Sequence, residues 1–529
     1  MEDLKQFLEE GSGFLGIELG STRIKAVIID DGFRVAASGS HTWENRLVDG
    51  IWTYTMEDIH EGLRAAYADL LKNVSASCGA VIRRYRAIGI SAMMHGYLPF
   101  DENGALLSMF RTWRNTSAHA AAEKMTALLG HNIPDRWSSA HLYDAVLRDE
   151  PHLKELRFMT TLAGYIHFRL TGEKVIGIGD ASGIFPIDGK TGDYREDLLA
   201  VFDDEIADKG YPWKTRELFP RVLKAGENAG VLSEEGASFL DASGSLQSGI
   251  PLCPPEGDAA TGMIATGSVR RRSGNLSAGT SGFLMAVLDE EIRTLHREIE
   301  QINTPDGSPV AMVHANNCTT DLSAWVSLFG EFAEEAGLSL KPDELYGLLF
   351  RKALCGDADA GGIFSYNFHA GEFLVDMERG CPLLVRRPDA SFDLAHFMRA
   401  QLNGTIAVLR LGVDRLREEG VRLDSLTAHG GLFKTPGAAQ RIVAGALRTP
   451  VRVMETAGEG GAFGIAVLAA YLVRENPAEN LPDYLDRCIF SYARVTVAEP
   501  LEEDAAGYDR FMEGYKAALA AEKAAAEVL

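Results

Sequence analysis

The segment FLGIELGSTRIKAVIID, residues 14–30, decides how this sequence is interpreted. Its two apolar, β-branched runs predict two strands, and the glycine and hydroxyl residues between them predict a tight turn. At that turn Gly20 lets the backbone approach an anion closely, while Ser21 and Thr22 supply hydroxyl and N–H donors. The segment is therefore a candidate phosphate-binding hairpin, and an ordinary β-hairpin is the alternative.

Two charged side chains flank this turn. Glu18, at the end of the first strand, carries a carboxylate that could hold Mg²⁺ through water. Lys25, near the start of the second strand, could add positive charge towards a phosphate group. The hairpin thus has the parts that a nucleotide site needs.

A second segment, NLSAGTSGFLMAVL at residues 275–288, repeats the same plan. It again places a glycine and two hydroxyl side chains, Gly279, Thr280 and Ser281, between two apolar runs. Two such hairpins in one chain predict two similar domains and a phosphate group that is held from two sides.

The length of 529 residues also exceeds what one hydrophobic core usually serves. The segment GIPLCPPEGD, residues 249–258, is rich in proline and glycine and separates the two hairpins. It predicts a division into an N-terminal domain of residues 1–254 and a C-terminal domain of residues 255–529.

The periodicity of apolar residues predicts the helices and strands of the rest of the chain. The predicted helices cover residues 57–76, 117–130, 151–170, 321–336, 393–419, 436–447, 462–473 and about 503–529. The further predicted strands cover residues 86–93, 425–431 and 451–454.

The net charge of the chain indicates which classes of molecule the protein binds. The chain has 75 acidic and 52 basic residues, a net charge of −23. Such an acidic surface argues against nucleic acid as a partner, whereas a nucleotide is neutralised locally by Mg²⁺ and backbone N–H groups. No apolar run reaches the roughly 18 residues of a membrane span, and the acidic, polar start MEDLKQ is not a secretory signal. We expect a cytoplasmic protein without a membrane partner.

Three further segments carry candidate chemistry. SAMMHGYLPFDENGALLSMFRTWRNTSA, residues 91–118, begins as a strand that ends on Met-His-Gly. PEGDAATGMIATGS, residues 255–268, places an aspartate at the start of a helix. In the segment of residues 428–470, two adjacent glycines end a strand where a base or a ribose could pack, and a plain strand–turn–helix unit is the alternative.

Taken in order, these five segments resemble the FGGY family of carbohydrate kinases, which belongs to the actin, hexokinase and Hsp70 superfamily. The resemblance extends over roughly residues 14 to 475. It implies an α/β fold of two ribonuclease-H-like domains, with the active site in the cleft between them. It also implies ATP and Mg²⁺, a small sugar as the acceptor, and a possible homodimer.

The resemblance assigns roles to individual positions. Asp258 matches the general base that deprotonates the sugar hydroxyl, and with Glu18 it forms the implied Mg²⁺ site. Asp258 also suits the first turn of a helix, and the two roles are compatible. The implied sugar-contacting positions are Met94, His95, Gly96, Trp113, Arg114 and Asn115. The implied nucleotide-contacting positions are Gly20, Ser21, Thr22 and Lys25, then Gly279, Thr280 and Ser281, and finally Gly430, Gly431 and Lys434.

The sequence departs from the family pattern at two places. Glu18 stands where the family usually has an aspartate, which is one methylene shorter. Trp113, Arg114 and Asn115 stand where xylulokinases usually have Trp-Asn-Asp, so a carboxylate is replaced by a cation or an amide. A pentulose such as xylulose or ribulose is the default substrate, and a tetrulose, a heptulose or a polyol would fit equally well.

Two other classes of protein share this superfamily. One is a non-catalytic protein that binds a sugar or a nucleotide, and the other is an ATPase of the actin or chaperone type without a small-molecule acceptor. Asp258, together with the Met-His-Gly strand end, favours the kinase. Release of ADP from ATP with and without a panel of ketoses distinguishes the three.

Overall fold

The predicted N-terminal hairpin is present in the computed structural model, which describes residues 2–454, 460–490 and 494–529. Strand β1 (Phe14–Leu19) pairs antiparallel with β2 (Arg23–Ile29), with Glu18 opposite Lys25. Residues 455–459, within the predicted adenosine segment, lie outside the described residues.

The remaining elements alternate between strands and helices along the chain. The other strands are β3 (Val35–Thr42), β4 (Arg46–Val48), β5 (Ile51–Thr53), β6 (Ala87–Ala92), β7 (Leu98–Phe100), β8 (Phe158–Thr160), β9 (Val175–Gly177), β10 (Ile187–Asp188), β11 (Asp193–Tyr194), β12 (Arg221–Leu223), β13 (Glu256–Gly257), β14 (Ser273–Ala278), β15 (Gly282–Val287), β16 (Ile299–Asn303), β17 (Pro309–Ala315), β18 (Ile363–Tyr366), β19 (Leu383–Arg386), β20 (Ser425–His429), β21 (Val451–Met454) and β22 (Val495–Ala498). The helices are α1 (Glu2–Glu9), α2 (Met56–Cys78), α3 (His119–Leu129), α4 (Ser138–Leu147), α5 (Leu162–Thr171), α6 (Ile178–Ala181), α7 (Glu196–Glu205), α8 (Thr215–Leu218), α9 (Glu234–Leu240), α10 (Asp258–Ala265), α11 (Thr320–Glu335), α12 (Pro342–Ala353), α13 (Leu394–Glu418), α14 (Ala438–Leu447), α15 (Gly460–Leu472), α16 (Leu481–Leu485) and α17 (Glu502–Val528). None of these helices is long and apolar enough to cross a bilayer, within the part of the chain that the structure describes.

These elements form two compact units, each with its own apolar core. The described residues of the first unit fall within Met1–Val269, Gln301–Val310 and Gly458–Tyr492. Those of the second unit fall within Arg270–Glu300, Ala311–Ala457 and Ala493–Leu529.

The first unit is built on a five-stranded sheet in the order β13-β6-β1-β2-β3. Strand β1 runs antiparallel to β2 and parallel to β6, and β13 runs parallel to β6. Because β13 comes from the end of the proline-rich segment 249–258, that segment is joined to this sheet, and residues 255–269 lie in the first unit. The division of the chain after residue 254 stays a prediction.

The second unit is built on a seven-stranded sheet in the order β16-β17-β15-β14-β20-β21-β22. As in the first unit, a central strand, β14, runs antiparallel to its hairpin partner β15 and parallel to the strand on its other side, β20. The two hairpins that the sequence predicts are therefore the centres of two similar mixed sheets, as the resemblance implies.

Close backbone packing within the first unit fixes helix α15 against strand β1 and helix α10. A Cβ atom at Gly16 would lie 2.1 Å from the carbonyl oxygen of Ala462, and one at Gly464 would lie 2.1 Å from the carbonyl oxygen of Thr261. Any larger residue at these glycines would separate the elements. The packing brings the first turn of α15 to Glu18, at the end of β1.

One predicted helix is wrong in its first half. Residues 151–154 form a 3₁₀ turn, and Phe158–Thr160 is strand β8, which pairs with β7; only from Leu162 is the segment α-helical. The sequence also gave no prediction of helix α4 (Ser138–Leu147), which contributes to the site described below.

A buried carboxyl in α17 makes the stability of the second unit depend on pH. The N–H of Cys381 donates to Oε1 of Glu522 at 3.0 Å, and burial raises the pKa of Glu522 from 4.5 to about 7. Between these two pKa values the folded state therefore keeps a proton that the unfolded state loses. The associated stability is complete below the unfolded pKa and is lost as the pH rises through about 7.

We expect Glu522→Gln to remove part of the decline in unfolding temperature between about pH 5 and 8. Scanning calorimetry across that range measures it. Glu527→Gln, at an exposed position of the same helix, should behave like the wild type. Parallel pH profiles for the wild type and Glu522→Gln would show that this carboxyl does not titrate as described.

Candidate functional site

Aromatic side chains hold the turn of the first hairpin from behind. The indole N–H of Trp43 donates to the carbonyl oxygen of Gly20 at 2.7 Å, and the hydroxyl of Tyr54 donates to that of Ser21 at 2.5 Å. With its carbonyl groups held in this way, the turn leaves the side chain of Thr22 exposed. Such a turn is a suitable place for a phosphate group to meet hydroxyl and N–H donors.

Glu18 lies between this hairpin and helix α15. Its Oε2 accepts a hydrogen bond from the N–H of Ala462 at 3.2 Å. Burial raises the pKa of Glu18 to about 7, with the nearby negative charge of Asp258 as the second cause. The carboxylate thus caps the first turn of α15, an interaction that the sequence did not indicate.

Asp258 is the first residue of helix α10, as its position after Gly257 predicts. Its Oδ1 accepts hydrogen bonds from the N–H of Met94 at 3.1 Å and from the N–H of Ala259 at 3.0 Å. The side chain is accessible to solvent, yet the protein packed around it raises the pKa of Asp258 above its ordinary value. The two hydrogen bonds hold the carboxylate in one orientation and oppose that rise.

The positions of the two predicted metal ligands suit a bound Mg²⁺ ion in one respect. Glu18 and Asp258 are close enough for their charges to repel each other, and a divalent cation would relieve that repulsion. No group of three or more His, Cys, Asp and Glu side chains is arranged to hold a metal alone, in the residues that the structure describes. The ion would therefore take its other ligands from phosphate oxygens and water.

The Met-His-Gly strand end lies directly beside Asp258. Met94 supplies the N–H that Asp258 accepts, and His95 follows with a φ of +69°. The imidazole of His95 is buried, with Nε2 3.3 Å from Nε of Arg136 and Nδ1 3.4 Å from the carbonyl oxygen of Gly183. The structure therefore brings Met94 and His95 together with the predicted base.

The Trp-Arg-Asn turn is connected to the first hairpin. The indole N–H of Trp113 donates to Oγ of Ser21 at 3.2 Å, and the guanidinium of Arg114 lies 3.7 Å from the ring centroid of Trp52. Asn115 is buried and uses its amide fully: Oδ1 accepts from the N–H of Trp52, and Nδ2 donates to the carbonyl oxygens of Trp52 and Thr112. In this structure Asn115 holds strand β5, and its contact with a sugar stays a prediction.

Two buried carboxyl groups lie behind Asp258, and the sequence did not indicate a role for either of them. Glu256 accepts hydrogen bonds from the N–H groups of Gly179 and Asp180, at 3.3 and 2.8 Å. Asp180 accepts one from the hydroxyl of Thr161 at 2.6 Å, and burial raises the pKa of Asp180 to about 7. The two hydrogen bonds to Glu256 attach α6 to β13, the strand that leads into Asp258. Asp180 itself lies in the short helix α6 and is fully buried.

The second hairpin belongs to the second unit and is held by the start of α11. The carbonyl oxygen of Gly279 accepts hydrogen bonds from the N–H and the hydroxyl of Thr319, at 3.0 and 2.7 Å. Thr280 is exposed at the tip of the turn, and Ser281 is half-buried. The nearest protein atom to a Cβ at Gly279 would be 3.9 Å away, so the turn has open space where a ligand can approach.

The adenosine segment lies against this second hairpin. Gly430 has a φ of +103°, and a Cβ there would lie 2.4 Å from the carbonyl oxygen of Ala278. Gly431 begins a 3₁₀ turn that ends at Lys434, and both residues are exposed. The structure therefore gathers the predicted nucleotide residues of the second unit at neighbouring strand ends.

Family models match two parts of the chain. Residues 14–265 match the N-terminal domain of the FGGY family of carbohydrate kinases, and residues 274–473 match the C-terminal domain. The chain is 22% identical over 518 residues to a xylulose kinase of Haemophilus influenzae, which covers 94% of this chain and 98% of that protein.

Solved structures show the same fold. A xylulose kinase from Lactobacillus acidophilus superposes with a TM-score of 0.77 at 18% identity, covering 97% of this chain and 99% of that one. A gluconate kinase from the same organism also gives a TM-score of 0.77, at 17% identity and the same coverage. Since the two family matches together span most of the sequence, the chain belongs to the FGGY family of carbohydrate kinases.

Proposed function

We propose that the protein phosphorylates a hydroxyl group of a small ketose, with Asp258 as the general base. Membership of the family makes it an ATP-dependent sugar kinase. The observation that carries the proposal is the pair of N–H groups, from Met94 and Ala259, that fix one oxygen of a solvent-accessible carboxylate. A base held in this way is positioned before the substrate arrives.

The proposed step is an in-line transfer of the γ-phosphoryl group. The sugar hydroxyl gives its proton to Oδ2 of Asp258, because Oδ1 already accepts from two N–H groups. The sugar oxygen forms a bond to phosphorus as the bond between the γ-phosphorus and its bridging oxygen breaks, which leaves ADP. Mg²⁺, when bound, would neutralise charge on the phosphate oxygens.

The two hairpins are the proposed phosphate-binding elements. The first, with Gly20 and Thr22, belongs to the same unit as Asp258, and the second, with Gly279 and Thr280, belongs to the other. Each presents an exposed threonine at a turn whose backbone is anchored from behind. Neighbouring N–H groups and hydroxyls of this kind recur where proteins bind phosphate.

A pentulose is the proposed substrate class, supported by the several xylulose kinases among the relatives. A panel assay tests this: ADP release, coupled to NADH oxidation, is followed with pentuloses, a tetrulose, a heptulose, polyols and gluconate. We expect at least one ketose to raise the rate well above that of ATP alone. If no ketose of the panel does so, the proposed substrate class is wrong.

Arg114 is the proposed source of a departure from xylulokinase specificity. It is exposed beside Trp113, in the turn whose xylulokinase counterpart carries a carboxylate, and it stacks on Trp52. We expect Arg114→Asp to change the ratio of kcat/KM between two sugars by about tenfold, with the KM for ATP nearly unchanged. Steady-state kinetics on the panel measures this ratio.

The control for this variant is Arg83→Asp, which makes the same charge change at an exposed position of the first unit. It should leave the ranking of sugars as it is in the wild type. If Arg114→Asp lowers kcat/KM for every sugar by one common factor, Arg114 supports the turn and does not select the substrate.

A further inference from the structure

A strained residue stands beside the proposed base. His95 adopts a φ of +69°, in the left-handed region that residues other than glycine rarely occupy. Such a conformation persists only where the surroundings fix it, and it is frequent at functional sites. The neighbouring Gly96 has a φ of +91°, so the chain turns sharply directly after Met94.

Arg136 fixes the ring of His95. Its Nε donates to Nε2 of His95 at 3.3 Å. Because a guanidinium has no acceptor, this Nε2 must carry a lone pair, and the proton of the neutral ring then lies on Nδ1. That atom is 3.4 Å from the carbonyl oxygen of Gly183. The two contacts together determine both the orientation and the tautomer of the imidazole.

The segment that carries Arg136 also holds the backbone of the turn. The N–H of Gly96 donates to the carbonyl oxygen of Arg136 at 3.4 Å, and the hydroxyl of Ser138 donates to the carbonyl oxygen of Gly96 at 2.5 Å. A Cβ at Gly183 would lie 2.6 Å from Nδ1 of His95, so the ring has little room to move. The left-handed turn is thus held on several sides.

The residue directly before this turn is Met94, whose N–H lies in the preceding peptide unit. That N–H is one of the two donors to Oδ1 of Asp258. If His95 relaxed out of the left-handed region, the backbone of Met94 would shift with it, and this hydrogen bond would weaken. The orientation of the carboxylate therefore depends on contacts that are made at the two residues after the donor.

We propose that Arg136 is a positioning residue for the phosphoryl transfer, which acts on Asp258 through His95 and Met94. The proposal rests on the proposed role of Asp258 as the base. In this role Arg136 acts on the carboxylate only indirectly. Its effect should therefore appear in kcat, and only weakly in the KM for ATP.

The test compares Arg136→Met, which removes every donor at similar length, with Arg136→Lys, which keeps a donor and the charge. We expect Arg136→Met to lower kcat about 10- to 100-fold with the KM for ATP within about twofold, and Arg136→Lys to recover part of the loss. Thermal unfolding of each variant verifies that it is folded. Arg83→Met, at an exposed position, is the matched control.

A double-mutant cycle with His95→Asn separates positioning from general packing. Asparagine tolerates the left-handed region, so His95→Asn should fold, but it lacks the imidazole that Arg136 holds. If Arg136 acts through His95, Arg136→Met should have almost no further effect in the His95→Asn background. Independent, additive losses would overturn the proposal, as would a wild-type kcat in folded Arg136→Met.

A spectroscopic readout does not depend on activity. In protein labelled with ¹⁵N-histidine, His95 should show the neutral form protonated at Nδ1, and this signature should change in Arg136→Met. An unchanged His95 signal in that variant would overturn the proposal. Asp258→Asn distinguishes a failure of the positioning role from a failure of the base assignment. If Asp258→Asn is inactive while folded Arg136→Met is normal, only the positioning role is wrong. If Asp258→Asn is active, the base assignment fails too.

Discussion

Replacing Asp258 with asparagine should lower kcat by about 10² to 10⁴-fold while ATP and the sugar still bind. The geometry explains why this variant isolates the chemistry. The amide oxygen of asparagine can accept the N–H groups of Met94 and Ala259 as the native Oδ1 does, so helix α10 and the strand end should keep their places. What is lost is the second oxygen as a base and the negative charge.

Steady-state phosphorylation assays measure kcat, and calorimetry measures the binding of ATP and of the sugar. Asp208→Asn, the same change at an exposed position of the first unit, is the control and should leave kcat unchanged. A near-normal kcat in Asp258→Asn would remove Asp258 as the base. Asp180, the buried carboxyl behind it with a raised pKa, would be the next residue to test.

Replacing Gly279 with valine should weaken ATP binding by about 10- to 100-fold, a loss on the scale of one or two hydrogen bonds to charged groups. The turn itself should tolerate the side chain. Gly279 does not need the left-handed region, and the nearest protein atom to its Cβ would be the carbonyl oxygen of Ser281 at 3.9 Å. The added methyl groups would instead occupy the space in which a phosphate would approach the backbone.

Calorimetry with ATP and with the sugar tests this variant. Sugar affinity should be kept, because the predicted sugar residues Met94 and His95 belong to the other unit. Gly430→Ala is an instructive contrast: its left-handed φ and the 2.4 Å approach to Ala278 predict a loss of thermal stability. Unchanged ATP affinity in Gly279→Val would remove the second hairpin from the nucleotide site.

Much of the fold could be predicted from local patterns. The two hairpins, the helix over 57–76 and the helix over 393–419 are found within a few residues of their predicted bounds, because strong periodicity and clear turn residues mark them. The segment 151–170 was misread because its short apolar runs suit a helix and a strand equally. There the pairing of β8 with β7, a tertiary contact, decides the outcome.

The site could be predicted only in part, because its contacts join residues that are far apart in the sequence. Asp258 and Met94 were both identified by resemblance, yet the hydrogen bond between them spans 164 positions and has no local signal. Arg136 precedes a helix that was not predicted, and nothing in its neighbourhood marks it as a partner of His95. Glu18 was read as a metal ligand, and its contact with α15 spans 444 positions.

The most direct test of the central claim follows the phosphoryl group itself. The enzyme is mixed with ATP labelled with ³²P at the γ-position, Mg²⁺ and the best sugar of the panel, and the products are separated after a single turnover. The account predicts that the label appears in a sugar phosphoester, with one ADP formed for each ester, and that Asp258→Asn slows this transfer by at least about 10². Label recovered as inorganic phosphate, or transfer at the wild-type rate in Asp258→Asn, would contradict it.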